Sequence, residues 1–330
     1  MLNFALGFIG LANINVSGGT IVGRGYAWIG IIVSCVLIIA SIIVPVMIKV
    51  RNTNITSRCY GNLARLGKTM LVYANDYEDR LPKAGAGTNR WTDSLGGHGN
   101  SIAWRTDGRQ EAYGIKQSSG TTGAVTSSAS LFLLVKYMDM LPESFVCAGE
   151  RKTRAFDLSK WLPSGTDKDL IDVWDFGYYA SSKKNQSRHV SYSYQHSFGA
   201  NALTTNDDPV LAVVADRSPW CNSAVNRVKR WSEFIPDTTL HSEFYKRGLK
   251  GNATVHQGSG QNVLWLDSHV SFERRAFNGK DRDNIYTLQD SDDPNTFSKG
   301  RMPIPYDAEA SQPRTRRDSV LVQENGRGGP

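Results

Sequence analysis

The sequence has few of the features that mark common catalytic or metal-binding classes. It has only four cysteines, and no two of them are spaced as C-x-x-C. Zinc ribbons depend on such close pairs, so the spacing argues against that class of metal site. The G-x-S-x-G elbow of hydrolases, the P-loop and the H-E-x-x-H helix of zinc proteases are also absent. No enzyme class is therefore indicated, and we expect a protein without enzymatic activity.

The chain also lacks a concentrated basic region. Its formal net charge is +7, but the basic residues are scattered. The basic clusters are only pairs: Arg151-Lys152, Lys183-Lys184, Arg274-Arg275 and Arg316-Arg317. Nucleic-acid-binding proteins usually gather basic residues on one face or stripe. We therefore expect no nucleic-acid partner.

Charged residues are missing from one long stretch near the N-terminal end. Residues 26–48 form a run of 23 residues without a charge, and Lys49, Arg51 and Arg58 follow it. The hydrocarbon core of a bilayer is about 30 Å thick, and about 20 apolar residues span it as a helix. Pro45 lies within the run, and a proline in a membrane helix usually produces a tolerated kink. The run is predicted to be a transmembrane helix that anchors the protein in a membrane.

A helical pattern continues beyond the apolar run. The large apolar residues of the segment 59–78 recur at spacings of three and four: Leu63, Leu66, Met70, Tyr73 and Tyr77. This spacing places them on one face of a helix, and Leu81-Pro82 marks its end. We predict one long helix over residues 26–80, transmembrane over 26–48 and amphipathic over 59–78.

The first 25 residues leave two topologies open. Residues 2–16 are apolar but short for a span, and a glycine-rich turn joins them to the main run. The positive-inside rule would place Lys49 and Arg51, and with them the soluble domain, in the cytoplasm. Insertion of residues 2–16 as one arm of a hairpin would place the soluble domain on the other side.

Beyond residue 80 the pattern changes to short strands. Residues 84–130 are rich in Gly, Ser, Thr and Asn and are predicted to be a loop insertion, followed by a short helix over 127–137. Strands are predicted at 190–194, 210–215, 262–266 and 269–273. A helix packed on an antiparallel sheet makes residues 81–305 an α+β globular domain. Residues 306–330 are polar and charged, and we predict a disordered tail.

An ordered set of motifs resembles a known protein family. The first is Cys59-x-x-Asn62-Leu63-x-x-Leu66-Gly67, directly after the anchor. Further matches are Phe145-Val-Cys147, Ser191-Tyr-Ser-Tyr194, the apolar run ending in Asp216-Arg217, the segment from His256 to Val270, and Asp283-Asn-Ile-Tyr286. Together they extend from about residue 26 to residue 290. The set resembles the pseudopilin-like proteins of planctomycete-type bacteria, which have a prepilin-type N-terminal helix and a C-terminal H-x9-D-G motif.

The resemblance implies a fold and a role. The fold would be type IV pilin-like, and the role would be structural, in a type II secretion or type IV pilus-like system. The chain would lie in the inner membrane with its soluble domain extracytoplasmic. Its partners would be other pilin-like subunits or secretion-system components. The residues that match the family's structural motif are Cys59, Asn62, Leu63, Leu66, Gly67, Cys147, His256, Asn262, Asp267 and His269.

The sequence departs from the family pattern at the anchor and in the signature. Gly25-Tyr26 fits a prepilin processing junction, but Gly30 stands where the family has Glu. Ten residues separate His256 from Asp267, and Ser268 stands where the family has Gly. Residues 5–30 instead resemble the end of a small two-helix membrane domain. These departures suggest a pilin-like domain joined to an atypical anchor.

Three groups of residues are candidates for chemistry. His256, Asp267 and His269 have side chains that ligate zinc, but a turn aspartate that caps backbone N–H groups explains them equally well. Some pseudopilins hold calcium in a C-terminal loop, which makes Asp281, Asp283, Asp292 and Asp293 candidate oxygen ligands. We favour structural roles for both groups and expect no cofactor, with calcium as the alternative. In an exported domain Cys59 and Cys147 are able to pair.

Two other functions remain open. The first is a membrane-tethered extracytoplasmic module that binds glycans or proteins through tryptophans in loop-like regions. These are Trp91, Trp104, Trp161, Trp174, Trp220 and Trp231. Buried tryptophans that close small cores are the alternative explanation. The second function is a metal-dependent hydrolase that uses His256, Asp267 and His269.

Overall fold

The chain divides into two compact units, Met1–Asn54 and Ile55–Pro330. The computed structural model describes residues 9–10, 12–17, 24–85, 92, 95, 102–115, 123, 125–178, 185–221, 230–236, 243–290, 299–304 and 312–323. Helix α1 (Arg24–Asp76) contributes residues to both units. The other helices are α2 (Arg109–Tyr113), α3 (Ser127–Met138) and α4 (Glu243–Gly248).

The first unit contains the apolar part of α1, with Pro45 inside the helix. Its large apolar side chains are exposed, for example Ile29 at 58%, Leu37 at 62% and Ile42 at 62%. Among the described residues, α1 is the one helix long and apolar enough to cross a membrane. The predicted long apolar helix is therefore confirmed. It ends at Asp76 rather than at residue 80, because Glu78 and Asp79 adopt left-handed backbone conformations.

The second unit contains a five-stranded antiparallel sheet. Its strands are β1 (Tyr192–Gln195), β2 (Ala212–Asp216), β3 (Gln261–Trp265), β4 (Val270–Glu273) and β5 (Leu321–Val322). Their order across the sheet is β4-β3-β2-β1-β5. Each neighbouring pair is antiparallel, and a bulge interrupts the β2–β3 register between Ala212 and Val214. One long helix and this sheet give the α+β arrangement that the sequence predicts.

Both faces of the sheet are buried. Side chains alternate along a strand, so in β3 Leu264 joins the larger core cluster, whereas Val263 and Trp265 join a second one. The larger cluster includes Leu63 and Leu66 of α1. The second cluster is closed by Trp220, Phe234, Phe277 and Tyr286. The helix therefore covers one face, and chain segments outside the strands cover the other.

Four of the five residues of the predicted apolar stripe lie in the core, whereas Tyr77 lies beyond the end of α1 and is 38% exposed. Leu63 and Leu66 are fully buried, Met70 is 2% exposed and Tyr73 is 5% exposed. Gly67 allows the helix to approach the sheet closely, because a Cβ atom at this position would lie 2.6 Å from Cδ1 of Leu264. A glycine in a helix interior costs about 1 kcal/mol relative to alanine. Its presence here is explained by the close approach of α1 to Leu264 of the sheet.

Alanine substitutions at two glycines of α1 are expected to have opposite effects. A Cβ added at Gly61 meets nothing within 4 Å, so Gly61→Ala should raise the free energy of unfolding by about 1 kcal/mol. Gly67→Ala gains the same helix propensity but overpacks Leu264. Its free energy of unfolding should therefore be about 1–3 kcal/mol lower than that of Gly61→Ala. Denaturant unfolding of the two variants measures this difference. Equal stabilisation by both would show that Gly67 is not a contact point.

Two segments differ from the expectation of irregular structure. The described part of residues 84–130 contains α2, with Trp104 and Tyr113 each 1% exposed, whereas α3 matches the short helix predicted over 127–137. Within the predicted tail, residues 320–322 are buried and β5 pairs with β1. A short apolar run, Val320-Leu-Val322, is sufficient to add a strand to the sheet edge. The polar composition of the surrounding residues concealed it.

Candidate functional site

A disulfide joins α1 to the chain beyond α3. It links Cys59 to Cys147, with Cα atoms 5.2 Å apart and 88 positions between them in sequence. Both cysteines are fully buried. The pairing that the sequence left open is therefore formed.

A buried aspartate lies beside this disulfide. Asp216 is the last residue of β2 and its side chain is fully buried. Its Oδ2 atom accepts hydrogen bonds from the backbone N–H of Asn262 at 2.7 Å and from the Asn262 Nδ2 at 3.1 Å. Nε2 of His256 lies 3.1 Å from the same oxygen. The Oδ1 atom of Asp216 has no hydrogen-bond partner in the described part of the chain.

His256 is held over Asp216 by an uncommon backbone conformation. His256 has φ 59° and Gln257 has φ 60°, so two consecutive non-glycine residues are left-handed. Such conformations cost energy and persist where the surrounding contacts enforce them. The imidazole is 4% exposed, and its Nδ1 lies 3.3 Å from Oγ1 of Thr56. Nε2 also lies 3.2 Å from Nδ2 of Asn262, so the imidazole contacts Asp216, Asn262 and Thr56.

These side chains form one compact group, which we call the disulfide–histidine cluster. It consists of Cys59, Cys147, Asp216 and His256. The two sulfurs, a carboxylate oxygen and an imidazole nitrogen all lie within 4.8 Å of one another. Across the described residues, no other group of three or more His, Cys, Asp or Glu side chains comes together in this way.

Polar contacts around the cluster attach α1 to the sheet. Asn62 donates through Nδ2 to the Val146 carbonyl at 2.9 Å and to the Tyr192 hydroxyl at 3.2 Å. This contact accounts for the asparagine of the N-terminal motif as a structural residue. The Tyr286 hydroxyl donates to the Asp216 carbonyl at 2.7 Å. Motif residues of α1, β1 and β2 and the motif residue Tyr286 are therefore joined by hydrogen bonds.

A buried ion pair lies next to the cluster. Arg217 is fully buried and donates to both carboxylate oxygens of Glu150, at 2.6 and 2.9 Å. It also donates to the Ser187 carbonyl at 2.7 Å. Sequence reasoning missed Asp216, Arg217 and Glu150 as site residues. The available signal was the pair of charged residues at the end of an otherwise apolar strand.

Asp267 and His269 lie in the β3–β4 turn and contact each other. Asp267 Oδ1 accepts from the His269 backbone N–H at 3.0 Å and lies 2.5 Å from its Nδ1. Burial alone would raise the pKa of Asp267, but these hydrogen bonds from His269 lower it below its ordinary value. His256 contacts Asp216 instead. The structure thus pairs two of the three candidate zinc ligands at an exposed turn and places the third in a different cluster.

The backbone at Ser268 explains why the family that the sequence resembles has glycine at this position of the turn. Its φ is 70°, in the left-handed region where non-glycine residues pay roughly 1–2 kcal/mol. Three-residue hairpin loops commonly end in such a position, which favours glycine.

Ser268→Gly is expected to stabilise the domain by about 0.5–1 kcal/mol. The gain is smaller than the strain relieved, because glycine also gives the unfolded chain more freedom. Ser268→Ala is the matched control, since alanine keeps the strain. Thermal unfolding of both variants measures the difference, and equal melting temperatures would contradict the strained turn.

The acidic candidates for calcium do not form one described site. Asp292 and Asp293 lie outside the described residues. Asp281 contacts Arg317, with 3.3 Å between Oδ2 and Nη1. Asp283 is fully buried, and this burial, followed by the charge of Asp318, raises the pKa of its carboxyl well above the ordinary value. Burial also raises the pKa of Asp318 to about 7.

The stability of the domain is expected to fall as the pH rises from 3.8, the ordinary aspartate pKa, to the folded Asp318 pKa of about 7. In this window the folded chain holds a proton that the unfolded chain has released, so a rise in pH favours unfolding. Asp318→Asn stays neutral and should gain on the order of 4 kcal/mol of stability relative to the wild type across the window. Denaturant unfolding of the wild type and of Asp318→Asn at the two ends of this pH window tests the prediction. A stability difference that does not change with pH would contradict it.

The tryptophans proposed as a binding surface are mostly buried. Trp104 is 1% exposed, Trp161 6%, Trp174 7% and Trp220 4%. Trp231 packs edge-on against Trp220, with ring centroids 4.8 Å apart. Trp91 lies outside the described residues. The five candidate tryptophans that are described therefore pack within or against the core clusters.

Comparison of the chain with models of protein families, with curated proteins and with solved structures found no match.

Proposed function

We propose that this protein is a membrane-anchored structural subunit, pilin- or pseudopilin-like, of a type II secretion or type IV pilus-like system. It carries out no chemistry in this role. The apolar part of α1 holds it in the inner membrane and packs against like helices. The domain formed by the second unit presents a surface outside the cytoplasm to other subunits.

The observation that carries this proposal is the two-part surface of α1. In the first unit its large side chains, such as Leu37 and Ile42, are apolar and exposed. In the second unit the same helix buries Leu63 and Leu66 in the core. An exposed apolar surface of this size needs a lipid or protein environment. A helix that both anchors and forms the core of its domain fits a subunit whose helices pack together.

The disulfide supports an extracytoplasmic domain. Disulfides persist in oxidising compartments and are rare in the cytosol, where thiols are kept reduced. The fully buried Cys59–Cys147 pair therefore favours export. Export places Lys49 and Arg51 outside the cytoplasm, the opposite of the orientation that the positive-inside rule favours.

The N-terminal residue and intact mass of protein purified from its native membrane test the anchor. A start at Tyr26 would support processing at the Gly25-Tyr26 junction and assembly into a fibre. A start upstream of Gly25 would mean that the N-terminal segment remains as a permanent anchor. The chain would then be better described as a tethered module.

A second candidate function is a binding module, favoured by one groove. A groove of about 520 Å³ is lined by Tyr73, Tyr77, Tyr137, Arg80 and Arg109, among others. The rings of Tyr77 and Tyr137 lie 6.1 Å apart and are partly exposed, at 38% and 44%. Aromatic faces suit a sugar ring, and the groove is lined by both basic and acidic side chains, with Arg80 paired to Glu78 at 2.9 Å.

A glycan array probed with the full chain in detergent tests this candidate. Binding should be lost in a Tyr77→Ala/Tyr137→Ala double variant. It should be kept in Val72→Ala, a control at a residue of α1 that is 57% exposed. Equal binding by all three proteins would remove the groove as the site.

A further inference from the structure

We propose that the disulfide–histidine cluster is a redox-controlled metal site, in which Cys59, Cys147, His256 and Asp216 bind one zinc ion once the disulfide is reduced. This inference goes beyond the proposed structural role and does not depend on it. In the oxidised chain the S–S bond between Cys59 and Cys147 prevents the two sulfurs from binding a metal as thiolates. The reduced chain offers four ligands.

The donor set is of the kind that zinc prefers. Two thiolates, one imidazole and one carboxylate are all common zinc ligands, with bonds of about 2.0–2.3 Å. Ligand atoms around a tetrahedral zinc ion at these bond lengths lie roughly 3.3–3.8 Å apart. The four donor atoms here lie within 4.8 Å of one another. Once the S–S bond is broken, shifts on the order of an ångström are sufficient to bring them into place.

Orphaned acceptors point to a cation at this place. Asp216 is fully buried, and its Oδ1 has no hydrogen-bond partner among the described residues. The same is true of the Oδ1 atom of Asn262, which contacts Asp216 through its other amide atom. A buried acceptor without a partner is costly. A cation bound by the Asp216 carboxylate would give this buried group a further partner.

Neighbouring groups are placed to orient the ligands. Metal-binding histidines usually engage their second ring nitrogen in a hydrogen bond, and Nδ1 of His256 lies 3.3 Å from the Thr56 hydroxyl oxygen. With zinc on Nε2, Nδ1 carries the proton and donates it to that oxygen. The Gly149 backbone N–H donates to Cys147 Sγ at 3.4 Å, which favours the thiolate form.

The reduction step balances with a phosphine as reductant. The phosphine supplies two electrons to the S–S bond and becomes a phosphine oxide, taking its oxygen from one water molecule. The two protons of that water complete the thiols of Cys59 and Cys147. Zinc binding then forms two Zn–S bonds and releases both thiol protons to solvent. His256 binds as the neutral imidazole.

The test is a cobalt titration of the full chain in detergent micelles, with and without prior phosphine reduction. Cobalt(II) stands in for zinc because thiolate ligation gives it charge-transfer bands. We expect one equivalent to bind the reduced chain with these bands, none to bind the oxidised chain, and zinc to displace the cobalt. His256→Gln should weaken cobalt binding at least tenfold. His269→Gln, at the exposed hairpin turn, is the matched control and should bind as the wild type does.

A second measurement uses only the wild type, so it holds even where a variant fails to fold. Alkylation of the folded chain followed by intact mass should count two fewer modified thiols in the reduced chain with zinc than without it, whatever the reactivity of Cys35 and Cys221. Charge-transfer bands that are missing from the reduced wild type, or unchanged by His256→Gln, would overturn the proposal. The same number of alkylated thiols with and without zinc would also overturn it.

Discussion

Leu66→Asp is expected to unfold the soluble domain. Leu66 is fully buried in the core cluster that α1 shares with the sheet. An aspartate there loses the apolar packing of leucine and places a carboxylate in the apolar core. Each of these effects costs several kcal/mol. Their sum approaches the total stability of a typical domain, which is about 5–15 kcal/mol.

Thermal unfolding of the full chain in detergent, followed by circular dichroism, measures this effect. The matched control is Val72→Asp, which introduces the same charge on the same helix at a position that is 57% exposed. Surface substitutions usually change stability by about 0.5 kcal/mol or less. The variant at Leu66 should show no cooperative transition, whereas the control should melt close to the wild type. An unchanged transition in Leu66→Asp would contradict the packing of the helix on the sheet.

Loss of the Cys59–Cys147 disulfide is expected to cause the next largest decrease in the free energy of unfolding. The bridge closes a sequence separation of 88 residues. On the chain-entropy account, a loop of this length contributes between about 4 and 5 kcal/mol, and removal of native disulfides typically costs about 2–5 kcal/mol. The Cys59→Ala/Cys147→Ala double variant is expected to lose stability in that range, as measured by denaturant unfolding.

Reduction of the wild type provides the control for this experiment. In zinc-free buffer a phosphine should destabilise the wild type by a similar amount and leave the double variant unchanged. The free cysteines Cys35 and Cys221 are present in both proteins, so they do not contribute to the difference. An identical response of both proteins to reduction would show that the disulfide does not constrain the domain.

Features that depend on local sequence pattern were predictable. The stripe of Leu63, Leu66 and Met70 is encoded by spacings of three and four residues, and the structure buries all three. The hairpin of β3 and β4 around Asp267 is also encoded locally, by alternation and a turn pair. Strand ends shifted by one or two residues, since pairing with neighbours, not the pattern, decides where a strand stops.

Contacts between distant segments were not predictable from the pattern alone. His256 lies 40 positions from Asp216, and nothing in either segment indicates that they pair. The sequence grouped His256 with Asp267 and His269, because those residues are close in sequence and have ligand-type side chains. In the fold, the left-handed backbone at His256 directs it toward Asp216 instead. A sequence pattern indicates residue types, whereas the cluster depends on the packing of α1 against the sheet.

Average composition concealed the last strand. The residues after 306 are mostly polar and charged, which is typical of disorder. Three apolar residues, Val320 to Val322, are nevertheless buried, and β5 joins the free edge of β1. The edge position accepts so short a strand because only one neighbour has to be paired. Composition averaged over the 25 residues of this segment does not reveal so short a strand.

The most direct test of the central claim is a cross-linking experiment in native membranes. A photoreactive amino acid replaces Leu37, an apolar residue of α1 that is 62% exposed, and two differently tagged copies of the chain are expressed together. If copies of the chain pack through the apolar part of α1, ultraviolet light should produce a ladder of cross-linked species carrying both tags. Products that carry only one tag, as monomers or as adducts with lipid or other proteins, would contradict a structural subunit that assembles through its helix.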